Sequence, residues 1–540
     1  MGTAEFNYIG GTLGQLYADK AEDLENTAKG VITIGESDYT GYVLLGGCMA
    51  TAPAVKTDGK TKLNVSITNC RNYGAINYYA THSKKLAHYI GGCLGYIYEV
   101  SVSGTLIAPS TDDIHNYGPI KVKSTKLYDL KMGGISSFLG GPSTNIVNHE
   151  GGTIHVDADM YRIYFAGVAQ CIKDTATDIA NYGDITIDGH IAHTLYGAGC
   201  ITINNNYTRT RNSNHGDITV NAQIDINNFI GGLVYDSGAN LTYIDCHNTG
   251  NFTLGEKAVV NTQTRWGGFV GKLEKTTATT NVFDGCSNSG DIIIKGVASK
   301  TQYAAIGGIY GTATGPSIVI IKNGLVNSGD IIFEGSTEAA FVDNSALAKR
   351  NMVELGGIFG HVGSNIVFAN EANPTWTGNV INTGTIKFVG KAASGVRAGG
   401  IAGYMGGNAP TVTDGKLINI GDIVLEGELD ATLTDYNGAG GIAGRSELII
   451  DNAVSHCSID SANAPLGMIT GSPRSEVIRA TNCAVGGSIV GAYDTEDEAY
   501  KTITLDASNY FNYIFGGGTT DWGESTDYDG CTLLEAKPTF

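Results

Sequence analysis

Apolar positions alternate with more variable ones in a short triplet that recurs along the chain. The first and third residues of the triplet are apolar, whereas the middle residue is polar in some copies and apolar in others. The first positions are Ile76, Ile120, Ile154, Ile185, Ile218, Phe252, Ile292, Ile331, Ile386 and Ile423. A period of two with one apolar, mostly β-branched face is typical of a half-buried β-strand. Each triplet is therefore predicted to be a strand with that face in a core.

An asparagine corner precedes each triplet, usually written Asn-x-Gly. The asparagines are Asn72, Asn116, Asn148, Asn181, Asn214, Asn248, Asn288, Asn327, Asn382 and Asn419, and Asn26 begins a weaker first copy. Glycine admits positive φ and asparagine hydrogen-bonds locally to turn backbone, so this pattern predicts a tight corner. Stacked asparagine side chains can also hydrogen-bond from one coil to the next, as amide ladders do in cross-β stacks.

A glycine pair marks a second strand in each repeat. In Ile230-Gly-Gly-Leu233 and Ile306-Gly-Gly-Ile309 the flanking apolar residues lie three positions apart, so simple alternation places them on opposite faces. A bulge or bend at the glycines would return both to the core. A third short strand is predicted just before each corner. Three strands and three corners per repeat predict a parallel β-solenoid.

The repeats predict an all-β fold in which the loops vary in length. The number of residues between successive corners varies, whereas the Asn-x-Gly corner and the glycine pair recur in each repeat. This combination is typical of loops that lie outside a stacked core. We expect a right-handed parallel β-helix of about eleven coils over residues 1–491, with the hand taken from the parallel-crossover preference. Residues 492–540, rich in acids and aromatics, are predicted to be a C-terminal capping segment. The longest repeat could hold a short helix over Glu338–Val353.

Composition and charge limit the classes of molecule that this protein is expected to bind. The net charge is −19 and charged residues are 16% of the chain. Nucleic acid and anionic bilayers are therefore poor partners, whereas the charge does not disfavour glycans, proteins or cations. No apolar run reaches the roughly 18 residues of a membrane-spanning helix. Because Tyr8–Gly14 already reads as the second half of a repeat, we expect the sequence to be a mature or trimmed piece of a longer protein.

The glycine-pair runs resemble a known motif. Gly268-Phe-Val-Gly271, Gly308-Ile-Tyr-Gly311 and Gly357-Ile-Phe-Gly360 look like the GLUG motif of bacterial surface adhesins and of accessory regions in some secreted proteases. Over residues 8–491 the pattern resembles repeat-rich surface proteins of gut Bacteroidetes. The resemblance implies an extracellular, cell-surface location and supplies no catalytic residues. Ala166-Gly167 and Ala198-Gly199 depart from the motif by losing the first glycine.

Six of the ten cysteines alternate with aliphatic residues in apolar columns of the repeat. Cys70, Cys246 and Cys286 precede the corner, and Cys48, Cys93 and Cys200 follow the glycine pair. We therefore predict buried free thiols, because stacked parallel strands rarely offer the side-chain dihedral angle of a disulfide. No close Cys/His pairing with zinc spacing occurs, so neither a metal site nor a cofactor is predicted.

Two columns are candidate binding surfaces. The residue after the corner asparagine is aromatic in five successive repeats: Tyr73, Tyr117, His149, Tyr182 and His215. This column could stack against sugar rings or form a self-stacking ladder that stiffens the turn. The second column faces outward if the residue after the glycine pair faces inward, and it comprises Val234, Val270, Tyr310 and Phe359. It would be a partner patch unless the loop 334–354 covers it.

The positions of the acids bear on enzymatic activity. Parallel β-helices often host polysaccharide lyases and hydrolases, and hydrolysis needs paired acids. The middle position of the triplet holds no Asp or Glu in ten repeats, so no catalytic residue is predicted there. The acid that recurs after the corner glycine, as in Asp184 and Asp217, reads as turn chemistry.

The sequence therefore favours a bacterial cell-surface adhesin or structural display rod that binds a glycan or a surface protein along its flank. The alternative is a polysaccharide-active enzyme whose acids lie on loops, with Glu150, Asp157, Asp159 and Asp188 as the candidates. A purely architectural segment that self-associates end to end is a third hypothesis.

Overall fold

The computed structural model is all-β and built mainly from parallel strands. It describes residues 6–36, 38–39, 41–55, 61–82, 85–204, 207–236, 238, 240–274, 279–339, 351–363, 365–368, 379–406, 416–429, 437–447, 449–461, 464–473, 480–494, 499–515 and 530–539. The chain forms two compact units, Met1–Ala258 and Val259–Phe540. Most of the helix predicted over Glu338–Val353 lies outside the described residues, and Val353 begins a strand.

The first unit is a series of short strands. In chain order they are Phe6–Gly10, Leu13–Gln15, Lys20–Glu22, Glu25–Asn26, Ile32–Ile34, Asp38–Tyr39, Tyr42–Gly46, Met49–Thr51, Ser66–Asn72, Ile76–Tyr78, Thr81–His82, Ala87–Gly91, Leu94–Ile97, Val100–Val102, Thr105–Ile107, Ser110–Asn116, Ile120–Gly133, Ser136–Leu139, Ser143–Asn148, Ile154–Ala166, Ala169–Ile172, Ala176–Asn181, Ile185–Ile191, Thr194–Ala198, Ile201–Asn204, Thr208–Thr210, Ser213–Asn214, Ile218–Val220, Gln223–Ile224, Asn227–Gly231, Val234–Asp236, Thr242–Ile244, His247–Asn248 and Phe252–Leu254.

The second unit repeats this design. Its strands are Val259–Val260, Gln263–Gly267, Val270–Glu274, Thr280–Asn288, Ile292–Ile294, Val297–Ser299, Ala304–Gly307, Tyr310–Thr314, Ile318–Asn327, Ile331–Phe333, Ser336–Thr337, Val353–Gly356, Phe359–Val362, Asn365–Phe368, Val380–Asn382, Ile386–Phe388, Lys391–Ala392, Val396–Gly399, Ala402–Met405, Leu417–Asn419, Ile423–Leu425, Gly438–Gly440, Ala443–Ser446, Ile450–Asp451, Ala453–Ser461, Leu466–Gly467, Thr470–Pro473, Ala480–Thr481, Ala484–Asp494, Ala499–Thr504 and Thr532–Leu533, and a 3₁₀ turn covers Tyr510–Tyr513. Ala499–Thr504 pairs antiparallel with Ala484–Asp494.

The triplets pair in parallel and in register, which confirms the predicted solenoid. In the first unit Ile120 pairs with Ile154, and Ile154 pairs with Ile185. In the second unit Ile331 pairs with Ile386 in the same way. These side chains are at most 1% exposed, so the isoleucine column forms the shared interior of each unit. The strands that end at a corner, such as Ser110–Asn116, confirm the third strand of the repeat.

A row of asparagine side chains runs through the corners in each unit. The amide of Asn148 donates to Oδ1 of Asn181 at 2.8 Å, and Asn181 donates to Asn214 at 2.8 Å. Each amide also donates to a carbonyl of its own corner, as Asn181 does to Gly183 at 3.0 Å. In the second unit Asn327 donates to Asn382 at 2.8 Å. The predicted coil-to-coil hydrogen bonds are therefore confirmed, and these asparagines are almost entirely buried.

The glycine pair bends the chain against this asparagine row. A Cβ added to Gly199 would lie 2.2 Å from Cγ of Asn214, and one added to Gly134 would lie 2.5 Å from Cγ of Asn148. No side chain fits there, so the second glycine of the pair is required for the close approach. Ala166 and Ala198 show that the first glycine is replaceable. The residues that flank the pair, such as Ile230 and Leu233, are both fully buried, as the predicted bend requires.

The ten cysteines are free thiols, which confirms that prediction. Nine of them are buried and Cys531 is partly buried. Burial raises the pKa of Cys70 to about 12 and the pKa of Cys171 to about 11. Cys70 and Cys171 are therefore neutral, small hydrophobic side chains in the interior.

We expect the substitution Asn181→Ala to lower the free energy of unfolding by about 3 kcal/mol or more. It removes both hydrogen bonds that the Asn181 amide donates and leaves the amide of Asn148 without its partner in the next coil, and each unsatisfied buried polar group costs about 1–3 kcal/mol. Denaturant unfolding measures the change. The matched control is Asn77→Ala on a half-buried position of a triplet strand, which we expect to change stability by about 0.5 kcal/mol or less. Equal effects of the two substitutions would contradict the role of the asparagine row.

Candidate functional sites at the glycine bends

The predicted aromatic column stacks on itself. Tyr117 lies between Tyr73 and His149, with ring centroids 4.7 Å and 4.0 Å away and the rings nearly parallel. Tyr182 stacks on His215 at 4.6 Å. Because the faces of Tyr117 are covered by its neighbours, a sugar ring can reach only its edge. The geometry matches the ladder alternative, and a binding role for the five residues stays a prediction.

His149 of this column joins a polar network with His115, the residue before the corner Asn116. His115 lies 2.8 Å from His149 between ring nitrogens and 2.9 Å from Asp113, whose carboxylate also accepts from Arg71 at 2.6 Å. Burial lowers the pKa of His115, although Asp113 opposes this effect. Burial and the positive charges nearby also lower the pKa of His149. Both imidazoles therefore favour the neutral form, which suits hydrogen bonding between them.

The outward orientation predicted for the second column is wrong. Val234, Val270, Tyr310 and Phe359 are each 0% exposed, and Tyr310 stacks on Phe359 with ring centroids 5.7 Å apart. The alternation restarts at the bend, because the residue after the glycine pair lies in the bend and the next residue opens a new strand. Both side chains then point into the core. These four side chains have no exposed surface and pack inside their units, so they are core residues and form no partner patch.

Three acids assigned to loops lie on strands. Asp157 and Asp159 belong to Ile154–Ala166, and Asp188 belongs to Ile185–Ile191. The carboxylate of Asp188 lies 2.8 Å from the His155 ring. Asp157 and Asp159 border a cavity of about 300 Å³ together with Glu36 and Lys123. Glu150 lies in the turn after Asn148 and is exposed.

The bend creates a different outward surface, which sequence reasoning missed. In part of the first unit, the side chains two residues before the pair and four residues after it are half-buried on the two strands that the bend joins. Tyr89 and Tyr96 hold these positions around Gly91-Gly92, and their ring centroids are 4.7 Å apart. The outer faces of the two strands therefore approach each other across the bend, and we call the surface that they form there the cleft.

Aromatic residues line this cleft in the first unit. We call Tyr89, Tyr96, Phe138, Tyr164 and Tyr196 the aromatic cleft. Tyr96 stacks on Phe138 at 4.7 Å and Tyr164 stacks on Tyr196 at 4.6 Å. The four tyrosines are half-buried, so part of each ring faces solvent.

Cationic side chains accompany the aromatic rings. The ammonium of Lys131 lies 5.3 Å from the Tyr89 centroid and 5.8 Å from that of Tyr164, within cation–π range. Burial raises the pKa of Tyr89 to about 12 and the pKa of Tyr164 to about 12. The phenols are therefore neutral hydrogen-bond donors at physiological pH. Neighbouring rings and cations cover part of each face, so the cleft offers the half-exposed remainder of the rings together with the phenol donors.

Charged residues occupy the same positions in the second unit. Arg265, Glu354 and Arg397 lie two residues before their glycine pairs, and His361 and Tyr404 lie four residues after theirs. They line a cavity of about 240 Å³, which we call the charged cavity. Arg265 is 7% exposed, Glu354 is 3% exposed and Arg397 is 1% exposed. Such buried charges require close partners.

Ion pairs and rings satisfy these charges. Glu354 accepts from Arg397 at 2.9 Å and lies 2.7 Å from Nδ1 of His361. Burial by itself raises the pKa of Glu354, but His361 and Arg397 outweigh it, so the net pKa is lowered and the carboxylate stays charged. Arg265 pairs with Glu274 and lies over the Tyr303 ring at 5.2 Å.

The described part of the chain shows neither a metal-binding cluster nor a membrane-spanning helix. There, no group of three or more His, Cys, Asp or Glu side chains is placed to hold a metal ion. Over the same residues, no helical segment has the length and apolarity needed to cross a bilayer.

The comparisons with known proteins give no relative. No family model, curated protein or solved structure matches the chain. The resemblance to GLUG-motif proteins therefore stays a prediction.

We expect the substitution Tyr117→Ala to lower the free energy of unfolding by about 2 kcal/mol, because it removes two ring contacts worth about 1 kcal/mol each. Tyr182→Ala removes its stack on His215 and should cost about half as much. Thermal and denaturant unfolding measure both variants. Unchanged stability together with lost glycan binding would favour the sugar-stacking alternative instead.

Proposed function

We propose that this protein is a bacterial cell-surface solenoid that binds glycans in the aromatic cleft of its first unit, as an adhesin or display rod. The observation that carries the proposal is the set of half-buried tyrosine rings on both sides of the bend. Sugar rings have an apolar C–H face and a hydroxyl rim, which complement an aromatic face edged with phenol donors.

The spacing of the rings supports an extended ligand. Tyr89, Lys131 and Tyr164 occupy register positions on three successive strands, so Tyr89 and Tyr164 are separated by roughly 10 Å along the stack. A polysaccharide that follows the cleft meets an aromatic or cationic side chain on each strand. The overall charge of −19 disfavours nucleic acid as the extended ligand.

A second candidate function is hydrolysis or elimination on a polysaccharide. It is favoured by Asp157 and Asp159, which border one cavity. As residues i and i+2 of one strand they project from the same face, with Cβ atoms roughly 6–7 Å apart. That Cβ spacing is of the same order as the carboxyl separations in glycosidases, about 5–5.5 Å in retaining and about 6.5–9.5 Å in inverting enzymes.

We expect the double variant Tyr89→Leu, Tyr164→Leu to weaken binding to an immobilised panel of mucin and plant-wall polysaccharides by at least about tenfold. Loss of two stacking faces at about 1 kcal/mol each gives this magnitude, and leucine keeps most of the packing. Surface plasmon resonance measures affinity, and circular dichroism checks folding.

The matched control is Tyr128→Leu, Tyr161→Leu, a pair stacked at 4.6 Å in the same unit but outside the aromatic cleft. It should bind like the unsubstituted protein. Equal binding by both double variants, or no binding to any polysaccharide, would contradict the proposal. Shortening of the polysaccharide by the unsubstituted protein would favour the enzyme.

A further inference from the structure

We propose that the charged cavity of the second unit binds one carboxylate-bearing sugar residue of the uronate type. Its lining residues all belong to the second unit, so this proposal does not rest on the aromatic cleft. Burying Arg265, Glu354 and Arg397 is costly, and apolar residues of similar volume would often stabilise a fold as well. Their position around an open cavity indicates a ligand.

Two guanidinium groups line the cavity and can pair with an anion. Arg265 and Arg397 contribute two positive charges to the lining, and Glu274 and Glu354 contribute two negative charges, so these four side chains sum to zero (2 − 2 = 0). The lining is therefore less negative than the chain as a whole, whose net charge is −19. Guanidinium groups match the planar geometry of a carboxylate better than ammonium groups do.

The other lining groups suit a sugar. The rings of Tyr303 and Tyr404 border the cavity, with the guanidinium of Arg397 5.0 Å from the Tyr404 centroid. Gln263 and Gln302 add amides that can donate to and accept from hydroxyls. The volume of about 240 Å³ is below the ~300–1,000 Å³ of pockets for drug-sized ligands. One sugar residue is therefore the fitting size.

An unsatisfied hydroxyl gives a second, independent indication. Thr312 lines the cavity and is 1% exposed, and its Oγ1 has no hydrogen-bond partner among the described residues. A buried hydroxyl without a partner costs free energy, which a ligand hydroxyl would recover. Next to it in register, His361 is held through Nδ1 by Glu354, which leaves Nε2 as the ring nitrogen for a ligand.

The test is binding of galacturonate and glucuronate to the full chain, with galactose, glucose and acetate as comparison ligands. Ligand-observed NMR titration and calorimetry measure the affinities. At least one uronate should bind about tenfold or more tightly than its neutral hexose and than acetate. Equal affinity for the hexose would overturn the carboxylate assignment, and equal affinity for acetate would overturn the sugar assignment.

The substitution Thr312→Val tests the site without disturbing the ion pairs. It should weaken uronate binding by about fivefold, the effect of one lost hydrogen bond, with stability unchanged or higher. Thr470→Val is the matched control, because Thr470 is also fully buried with an unpartnered hydroxyl but lies outside the cavity. It should leave binding unchanged. Unchanged binding by Thr312→Val, or equal losses in both variants, would contradict the proposal, whatever the outcome at the aromatic cleft.

Discussion

The packing of glycine pairs against a buried asparagine row is the constraint on which the rest of the structure depends. Each corner amide is satisfied by its own turn and by the next coil, as in the hydrogen bonds of Asn181 to Gly183 and Asn214. The second glycine of the pair approaches this row so closely that a Cβ on Gly199 would overlap Asn214. The corner asparagine and the glycine pair are therefore the two partners of a single packing contact. Aliphatic columns fill the remaining interior, and the loops vary in length around it.

This constraint also decides where function can vary. The bend folds the outer faces of two strands toward each other, so the positions two residues before and four residues after each glycine pair line a cleft. Side chains at these positions do not pack against the asparagine row. In the first unit they hold Tyr89 and Tyr96, and in the second unit they hold Glu354 and His361. One scaffold thus presents an aromatic surface in one unit and a charged one in the other.

The strand phase, the corner hydrogen bonds and the free thiols could be predicted from the sequence, because each depends on a residue type repeated at a fixed place. The inward orientation of Val234 and Phe359 could not be predicted, because the alternation restarts at the bend. The apolar pattern does not indicate the geometry of that bend. Asp157 was assigned to a loop although the alternation of Ile154, Val156, Ala158 and Met160 continues past the triplet, a signal that could have placed it on the strand Ile154–Ala166. The aromatic cleft was missed because the positions that form it hold other residue types elsewhere in the chain, such as Lys131 and Glu354. Counting from the glycine pair would have aligned them.

The most direct test is a double-mutant cycle on Gly199→Ala and Asn214→Ala, measured by denaturant unfolding. If the glycine exists to accommodate the asparagine, removing the amide relieves part of the overlap caused by the added Cβ. The double variant should then be less destabilised than the sum of the single variants, with a coupling free energy of about 1 kcal/mol or more. Effects that add within about 0.5 kcal/mol would contradict the account, because the two motifs would then be energetically independent.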